Sequence, residues 1–381
     1  MSSELSIIFT LSFIIFISPY ISAILKIPTT PVEIILGSIA TTIGFLEYSH
    51  QFELIAEVGF YYLMFLAGTE VNLKELRDKS KDLLKRDALY ILLLYIFSAI
   101  FVTLNNEHKI FIAMLPLISV GLIVTLYKEF DKNTKWLNIS MSTGIMGELV
   151  SIVVVTIAGA VIEHGVGGEL YKSILYLVIF LVSIAILYKG FRVLFWWYPE
   201  LKNYLIPIYA DKDEKDIRLS MAIFFLMIAI MMMLHLEIAF GAFIAGIFIP
   251  TFFHHHRDLP HKLSSFGFGF LIPIFFVYIG STFHLSRLFE KGLIQEAIWI
   301  TLAMIFIRVL ASVSFIGYLN IKDRILLAFS HSMPLTLLIA IATLAYQNNT
   351  ISQFYYFSFI LAGLFEVLIS MFSIKIISRY Y

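Results

Sequence analysis

Thirteen apolar runs follow one another along this chain of 381 residues and leave little room for any other structure. An α-helix needs about 20 mostly apolar residues to cross the roughly 30 Å hydrocarbon core of a bilayer. Hydrophobic residues make up 60% of the chain and charged residues 14%, against about 45–50% and about 25% in soluble domains. We therefore predict an all-α, multi-pass membrane protein with 13 transmembrane helices. The runs occupy residues 5–25, 31–48, 52–70, 87–104, 109–127, 136–162, 170–189, 217–235, 237–253, 265–283, 293–318, 325–346 and 351–375.

The basic residues predict the orientation of these spans. If every run crosses the membrane, one side holds only four of the 27 basic residues, and Arg308 lies inside a run. Loops rich in Lys and Arg stay in the cytoplasm. We therefore predict an N-terminus outside, a cytoplasmic C-terminus and a location in a prokaryotic inner (plasma) membrane. The four residues on the outer side are Lys109, Lys172, Arg287 and Lys291.

The remaining composition excludes several classes of protein. Basic and acidic residues balance at 27 each, so net charge does not indicate nucleic-acid binding. Cysteine is absent, which excludes a thiolate metal or redox site, and we expect no cofactor. The sequence has no HExxH or GxSxG motif, so we do not expect an enzyme. The longest polar link, around Tyr198–Lys215, is only a loop, and we expect no soluble regulatory domain.

Three ionisable residues lie near the middle of a predicted span: Glu148, Arg308 and Glu366. Each costs about 2.5–3.5 kcal/mol on insertion scales, so each requires an explanation. A buried carboxyl group balanced by a nearby cation can exchange a proton for a metal cation. Arg308 stays protonated, so it is a fixed counter-charge rather than a proton carrier. These residues either take part in transport or form a static pair between helices, and Glu366 is a candidate partner for Arg308.

Two spans have the composition of interrupted helices. Pro116 precedes Ser119 and Gly121 in the fifth span, and Ser332 precedes Pro334 in the twelfth. Proline removes a backbone donor, and free backbone groups are tolerated in a membrane only against protein or a wet cavity. Discontinuous helices in corresponding positions of two halves indicate a transporter binding site. An ordinary proline kink is the alternative.

Four histidines follow the ninth span, in a cytoplasmic loop. Histidine-rich tracts bind metal ions or titrate near neutral pH, so this loop is a candidate pH sensor. The alternative is a polar loop at the membrane surface. The four residues are His254, His255, His256 and His261.

Five segments in order resemble the cation:proton antiporter superfamily, and specifically its NapA-like and Kef-like branch. Each motif is modest alone, but the five together cover nearly the whole chain. They are IPTTPVEIILGSIATTIG (27–44), LMFLAGTEVNLKELRDK (63–79), SVGLIVTLYKEF (119–130), FGAFIAGIFIP (240–250) and HRDLPHKLSSFGFGFLIPIFFVYIG (256–280).

The resemblance implies two inverted repeats with broken helices that cross at mid-membrane. It also implies a homodimer and elevator-type alternating access. A dimerisation scaffold would come from spans within 5–70 and 217–283, a linker helix from 170–189, and a mobile ion-binding core from 87–162 and 293–375. The expected partners are Na⁺ or K⁺, H⁺ and the lipid bilayer.

The family site carries over to this chain only in part. Where the family has an Asp-Asp or Asn-Asp pair, this chain has Gly147 and Glu148, so Glu148 is the one candidate ion and proton site. Ser119 is a weaker candidate ligand, because Ile118 replaces the usual threonine before it. Arg308 stands where lysine is common. One proton-labile group predicts electroneutral exchange of one cation for one proton. The alternative is a non-transporting relative, or a channel or organic-anion transporter on the same fold.

Overall fold

The computed structural model shows an all-helical protein. It describes residues 3–25, 27–69, 71, 79–120, 123, 126, 134–164, 167–198, 200, 214–234, 236, 238–252, 258–283 and 285–380. Within these ranges there is no β-strand, only one isolated bridge between Ile316 and Leu319. By contacts the chain forms two compact units. The division into a scaffold and a mobile core concerns motion and stays a prediction.

The first unit comprises Met1–Tyr48, Lys74–Ile162 and Ile279–Tyr381. Local sequence sets several of its helix ends: the Ser80 side chain caps the fourth helix, and Asn106 ends it with a φ of 53°. Ser at an N-cap and Asn in a left-handed C-terminal position are both favoured. Its helices are α1 (Ser3–Leu25), α2 (Thr29–Thr42), α4 (Lys81–Asn105), α5 (Phe111–Met114), α6 (Lys135–His164), α12 (Leu293–Ala311), α13 (Ile321–His331), α14 (Leu335–Gln347) and α15 (Gln353–Tyr380).

The second unit comprises Ser49–Leu73 and Glu163–Tyr278. Glycines on α3 and α9 allow those two helices to touch: a Cβ at Gly68 would strike the Phe243 carbonyl, and one at Gly246 would strike the Phe65 carbonyl. Small residues at such crossings are typical of membrane helices. Its helices are α3 (His50–Thr69), α7 (Gly168–Trp197), α8 (Lys215–Leu234), α9 (Ile238–Phe252), α10 (Leu259–Phe266) and all but the last three residues of α11 (Ile272–Ser281), with a π-helical turn, Gly267–Leu271, between the last two.

Nine of the described helical segments are long and apolar enough to cross a membrane. Two shorter apolar segments are Ile238–Pro250 and Leu337–Gln347. Only 12% of the apolar window in α7 and 17% of that in α1 is buried within the protein. Such bare apolar surface is stable only against lipid, so the multi-pass membrane protein predicted from the sequence is confirmed. The count of 13 spans and their orientation stay predictions.

One predicted boundary is wrong and changes the position of a candidate residue. The tenth helix begins at Leu259 rather than at residue 265, because Pro260 fits the first turn of a helix. His261 therefore lies in α10 and not in a loop, and its side chain is exposed. His254, His255 and His256 lie outside the described residues, so the histidine cluster stays a prediction.

Candidate functional site

Helix α6 presents small and polar residues to its neighbours along one face. Ser140, Gly144, Gly147 and Ser151 recur at spacings of three or four, the spacing of one helix face. Glu148 adjoins this row, and its side chain is 0% exposed. Since the rest of α6 is mostly apolar, this face determines what α6 can bind.

The fifth span is interrupted directly against that face. Helix α5 ends at Met114, and Pro116 lies in non-helical backbone that runs to Val120. We call this segment, residues 115–120, the first break. The Val120 N–H donates to Glu148 Oε2 at 3.1 Å, and the Ser119 hydroxyl donates to Oε1 at 3.4 Å. Glu148 therefore accepts from a main-chain group that the break has released. Gly121 lies outside the described residues.

A serine one turn after Glu148 also binds this break. Ser151 accepts from the Ile118 N–H at 3.0 Å. Gly147 lies against the Ile118 side chain, where an added Cβ would come within 2.5 Å of Cδ1. Close packing against Ile118 therefore explains why position 147 is a glycine.

Arg308, on α12, binds the same break from the other side. Its guanidinium donates to the Leu117 carbonyl at 2.5 Å and to the Met304 carbonyl at 2.8 Å. Its Nη1 also lies 3.1 Å from Glu366 Oε1, and both side chains are fully buried. The Glu366 carboxylate has no aligned hydrogen bond among the described residues, so Coulomb attraction holds this pair. Arg308 thus combines the predicted role of counter-charge to Glu366 with a second role that was not predicted, donor to the break.

The twelfth span is interrupted between α13 and α14, at Ser332, Met333 and Pro334. We call these three residues the second break. The Ser332 carbonyl accepts from the Ser370 hydroxyl on α15 at 3.0 Å, and the Ser332 hydroxyl donates to the Ala328 carbonyl at 2.9 Å. Neutral groups therefore satisfy these contacts of the second break.

The structure brings Glu148 together with Ser119, and Arg308 together with Glu366, as the sequence analysis proposed. It also contains a buried ionic group that the sequence analysis missed. Asp87, on α4, lies 2.7 Å from Lys79 Nζ and accepts from Thr143 at 2.7 Å. Asp87 stands at the predicted start of a span, where a carboxylate would ordinarily be solvated, so position alone gave no signal.

The arrangement around Glu148 suits a small hard cation. Carboxylate and hydroxyl oxygens are hard ligands. Hard cations prefer such oxygen ligands to thiolate sulfur or imidazole nitrogen. Glu148 and Ser119 supply both kinds at one end of an interrupted helix. Among the residues described, no group of three or more His, Cys, Asp or Glu could hold a resident metal ion.

The chain as a whole is similar to proteins of one family. A family profile described as "Sodium/hydrogen exchanger, transmembrane" matches residues 12–379. A "Probable Na(+)/H(+) antiporter 3" from Methanocaldococcus jannaschii is 25% identical over 354 residues, 85% of this chain and 84% of that protein. A "Na(+)/H(+) antiporter" from Enterococcus hirae is 25% identical over 383 residues, 95% of each chain.

A solved structure supports the fold independently. The structure of the sodium proton antiporter MjNhaP1 from Methanocaldococcus jannaschii matches with a TM-score of 0.71 at 17% identity, over 99% of both chains. At that level of identity the likeness establishes the fold alone. The predicted antiporter-type fold is confirmed.

Proposed function

This chain belongs to the sodium/hydrogen exchanger family, and from that premise we propose that it exchanges a monovalent cation, Na⁺ or K⁺, for H⁺ across the membrane. It would act as a secondary transporter and not as an enzyme. The observation that carries the proposal is Glu148, a fully buried carboxylate that accepts from the Val120 N–H of an interrupted helix. Discontinuous helices at such sites are typical of secondary transporters.

Glu148 would serve both ions in turn. When protonated, its carboxyl group is neutral and binds no cation. When the proton leaves, the carboxylate takes the cation, with the Ser119 hydroxyl as a second oxygen ligand. The Glu148 carboxylate can hold either ion but not both, so the uptake of one ion requires release of the other.

One exchangeable carboxylate supports electroneutral transport. The Arg308 guanidinium is a fixed positive charge, and Glu366 lies 3.1 Å from it as its partner. That pair adds no net charge to the site in either half of the cycle. Exchange of one cation for one proton at Glu148 would then move no net charge across the membrane.

Exchange also requires that Glu148 meet water from each side alternately. In this conformation the side chain is fully buried, so a rearrangement must expose it. We infer an elevator-type movement of the core segments, 87–162 and 293–375, against a scaffold, in a homodimer within the plasma membrane. The first interrupted helix supports this inference, because its free Val120 N–H donates to Glu148.

Purified protein in lipid vesicles with an internal pH dye tests the proposal. The vesicles are challenged with Na⁺, K⁺ and Li⁺ for the wild type, for Glu148→Gln and for Glu290→Gln, a control at an exposed ion pair with Arg287. We expect cation-driven pH recovery in the wild type and the control, and the rate of protein-free vesicles in Glu148→Gln. Recovery that survives Glu148→Gln would contradict the site. No response of the wild type to any cation would favour the channel, organic-anion or non-transporting alternatives.

A second measurement tests the stoichiometry. An imposed membrane potential leaves the rate of electroneutral exchange unchanged, because no charge crosses the field. We expect equal rates of pH recovery at zero, positive and negative potential, set by a gradient of a permeant anion so that no candidate cargo ion forms the potential. A rate that follows the potential, with net current, would show that more than one proton-labile group takes part.

A further inference from the structure

A buried histidine lies at the second break and has no part in the exchange described above. His331 is the last residue of α13, and its side chain is 0% exposed. Its Nδ1 lies 3.1 Å from the Tyr90 hydroxyl on α4, and its Nε2 lies 2.9 Å from the Ser140 carbonyl on α6. One imidazole therefore connects three helices of the first unit.

The partners fix the position of one hydrogen on this ring. A carbonyl oxygen can only accept, so Nε2 must carry the hydrogen that goes to Ser140. In a neutral imidazole Nδ1 is then an acceptor, and the Tyr90 hydroxyl donates to it. A protonated ring would have to reverse the Tyr90 contact and would be a positive charge on a fully buried side chain. The geometry fits a neutral imidazole that makes two good hydrogen bonds.

The imidazole lies against the turn of α6 that precedes Glu148. An added Cβ at Gly144 would lie 3.6 Å from His331 Nε2, 3.4 Å from Val120 Cγ2 and 2.9 Å from the Ile123 side chain. Gly144 and Glu148 are four residues apart, about 6 Å along the helix axis. The first break, the end of α13 and the Glu148 helix therefore meet beside Gly144.

A second contact holds the same end of α13. The Ser330 hydroxyl donates to the Ser140 hydroxyl at 2.9 Å. Ser140 thus binds two consecutive residues of α13, Ser330 through its hydroxyl and His331 through its carbonyl. The second break begins at the next residue, Ser332, so these contacts fix where it starts relative to α6.

We propose that His331 is a positioning residue of the exchange site. Its neutral imidazole holds the end of α13 on α4 and α6 and keeps the turn before Glu148 in the geometry that binds the cation. This inference rests on the proposed exchange at Glu148. His331 itself carries neither the cation nor the exchanged proton.

The proposal predicts a change in cation affinity with little change in maximal rate. His331→Ala removes two buried hydrogen bonds, which together correspond to roughly a 5- to 30-fold change in an equilibrium constant. We therefore expect His331→Ala to raise the KM for Na⁺ by roughly that factor, while the rate at saturating Na⁺ stays within about two-fold. Glu148 remains present, so exchange itself persists.

The experiment compares four variants in pH-dye vesicles, with KM and maximal rate measured for each. His331→Gln keeps an amide donor near the Ser140 carbonyl, so it should restore most of the affinity lost in His331→Ala. Tyr90→Phe removes the other partner and should raise KM less. The double variant His331→Ala/Tyr90→Phe should have the same KM as His331→Ala, because both changes break one hydrogen-bond network. His108→Ala, at an exposed loop histidine, is the control.

Other outcomes overturn the proposal. An unchanged KM in His331→Ala, together with a lower unfolding temperature, would leave His331 a purely structural residue. Complete loss of exchange in both His331→Ala and His331→Gln, in folded protein, would make it a proton carrier instead. If His331→Ala does not fold, His331→Gln and Tyr90→Phe still test the proposal. A KM for Na⁺ equal to that of the wild type in both variants would refute a positioning role for His331. Persistent exchange in Glu148→Gln would refute the proposed function, not this inference alone.

Discussion

The two interrupted helices of this protein are built alike but are satisfied by different chemistry. At the first break, a charged guanidinium binds the Leu117 carbonyl and a carboxylate binds the Val120 N–H. At the second break, the Ser332 carbonyl accepts from a serine hydroxyl on α15. A carboxylate precedes a serine by one turn beside each break, Glu148 with Ser151 and Glu366 with Ser370. Only Glu148 turns toward its break, because Glu366 pairs with Arg308.

This difference indicates where transport chemistry is concentrated. A buried charge in a membrane is costly, whereas a hydroxyl group satisfies a free carbonyl at lower cost. Charged groups at the first break therefore call for a function, and the neutral contacts of the second are sufficient for structure. We infer that the first break forms the ion site and that the second supports it.

The largest expected effect comes from removing the charge that serves the first break. Arg308→Met leaves Glu366 buried without a cation and the Leu117 carbonyl without its donor. Breaking a buried pair by removing one partner costs about 3–5 kcal/mol. We expect a large drop in the unfolding temperature in detergent, and little or no exchange in vesicles.

A double variant separates charge from packing in that result. In Arg308→Met/Glu366→Gln the uncompensated carboxylate is gone, so part of the stability should return. Exchange should not return, because the donor to the Leu117 carbonyl is still absent. A double variant no more stable than Arg308→Met would show that the ion pair contributes little and that the Leu117 contact dominates.

A matched pair of glycines gives the next largest effect. An added Cβ at Gly147 would lie 2.5 Å from Ile118 Cδ1 and 3.1 Å from Ile118 Cβ, next to the main chain of the first break. At Gly363 it would lie 2.8 Å from Leu335 Cδ1 and 3.3 Å from Leu338 Cδ2. Leucine ends can move aside, but the Ile118 Cβ cannot move without the backbone.

We therefore expect Gly147→Ala to cost about 1–3 kcal/mol, the usual range for overpacking, and to raise the KM for Na⁺. Gly363→Ala should cost less and leave KM unchanged. Unfolding temperatures and vesicle KM values for the two variants make the test. An equal rise of KM in both would show that the two breaks contribute equally to the ion site.

Much of this site could be predicted from single residues, because charges and prolines are conspicuous in apolar spans. Glu148, Arg308 and the interruptions near Pro116 and Pro334 needed only position and residue type. The partners could not be predicted, because they depend on which helices pack together. The link from Arg308 to Leu117 joins residues 191 positions apart. His331 lies three residues before Pro334 in the sequence, but its contacts with Tyr90 and Ser140 follow from tertiary packing alone.

The smallest effects come from the two serines that follow the carboxylates. Ser151→Ala leaves the Ile118 N–H without its acceptor, and Ser370→Ala leaves the Ser332 carbonyl without the Ser370 hydroxyl. Each lost hydrogen bond is worth about 0.5–1.5 kcal/mol. An orphaned N–H is tolerated less well than a carbonyl with a second lone pair, so Ser151→Ala should lower the unfolding temperature slightly more. Only Ser151→Ala should also raise the KM for Na⁺, because Ile118 adjoins the Ser119 ligand. A KM shift confined to Ser370→Ala would show that the second break, and not the first, forms the ion site.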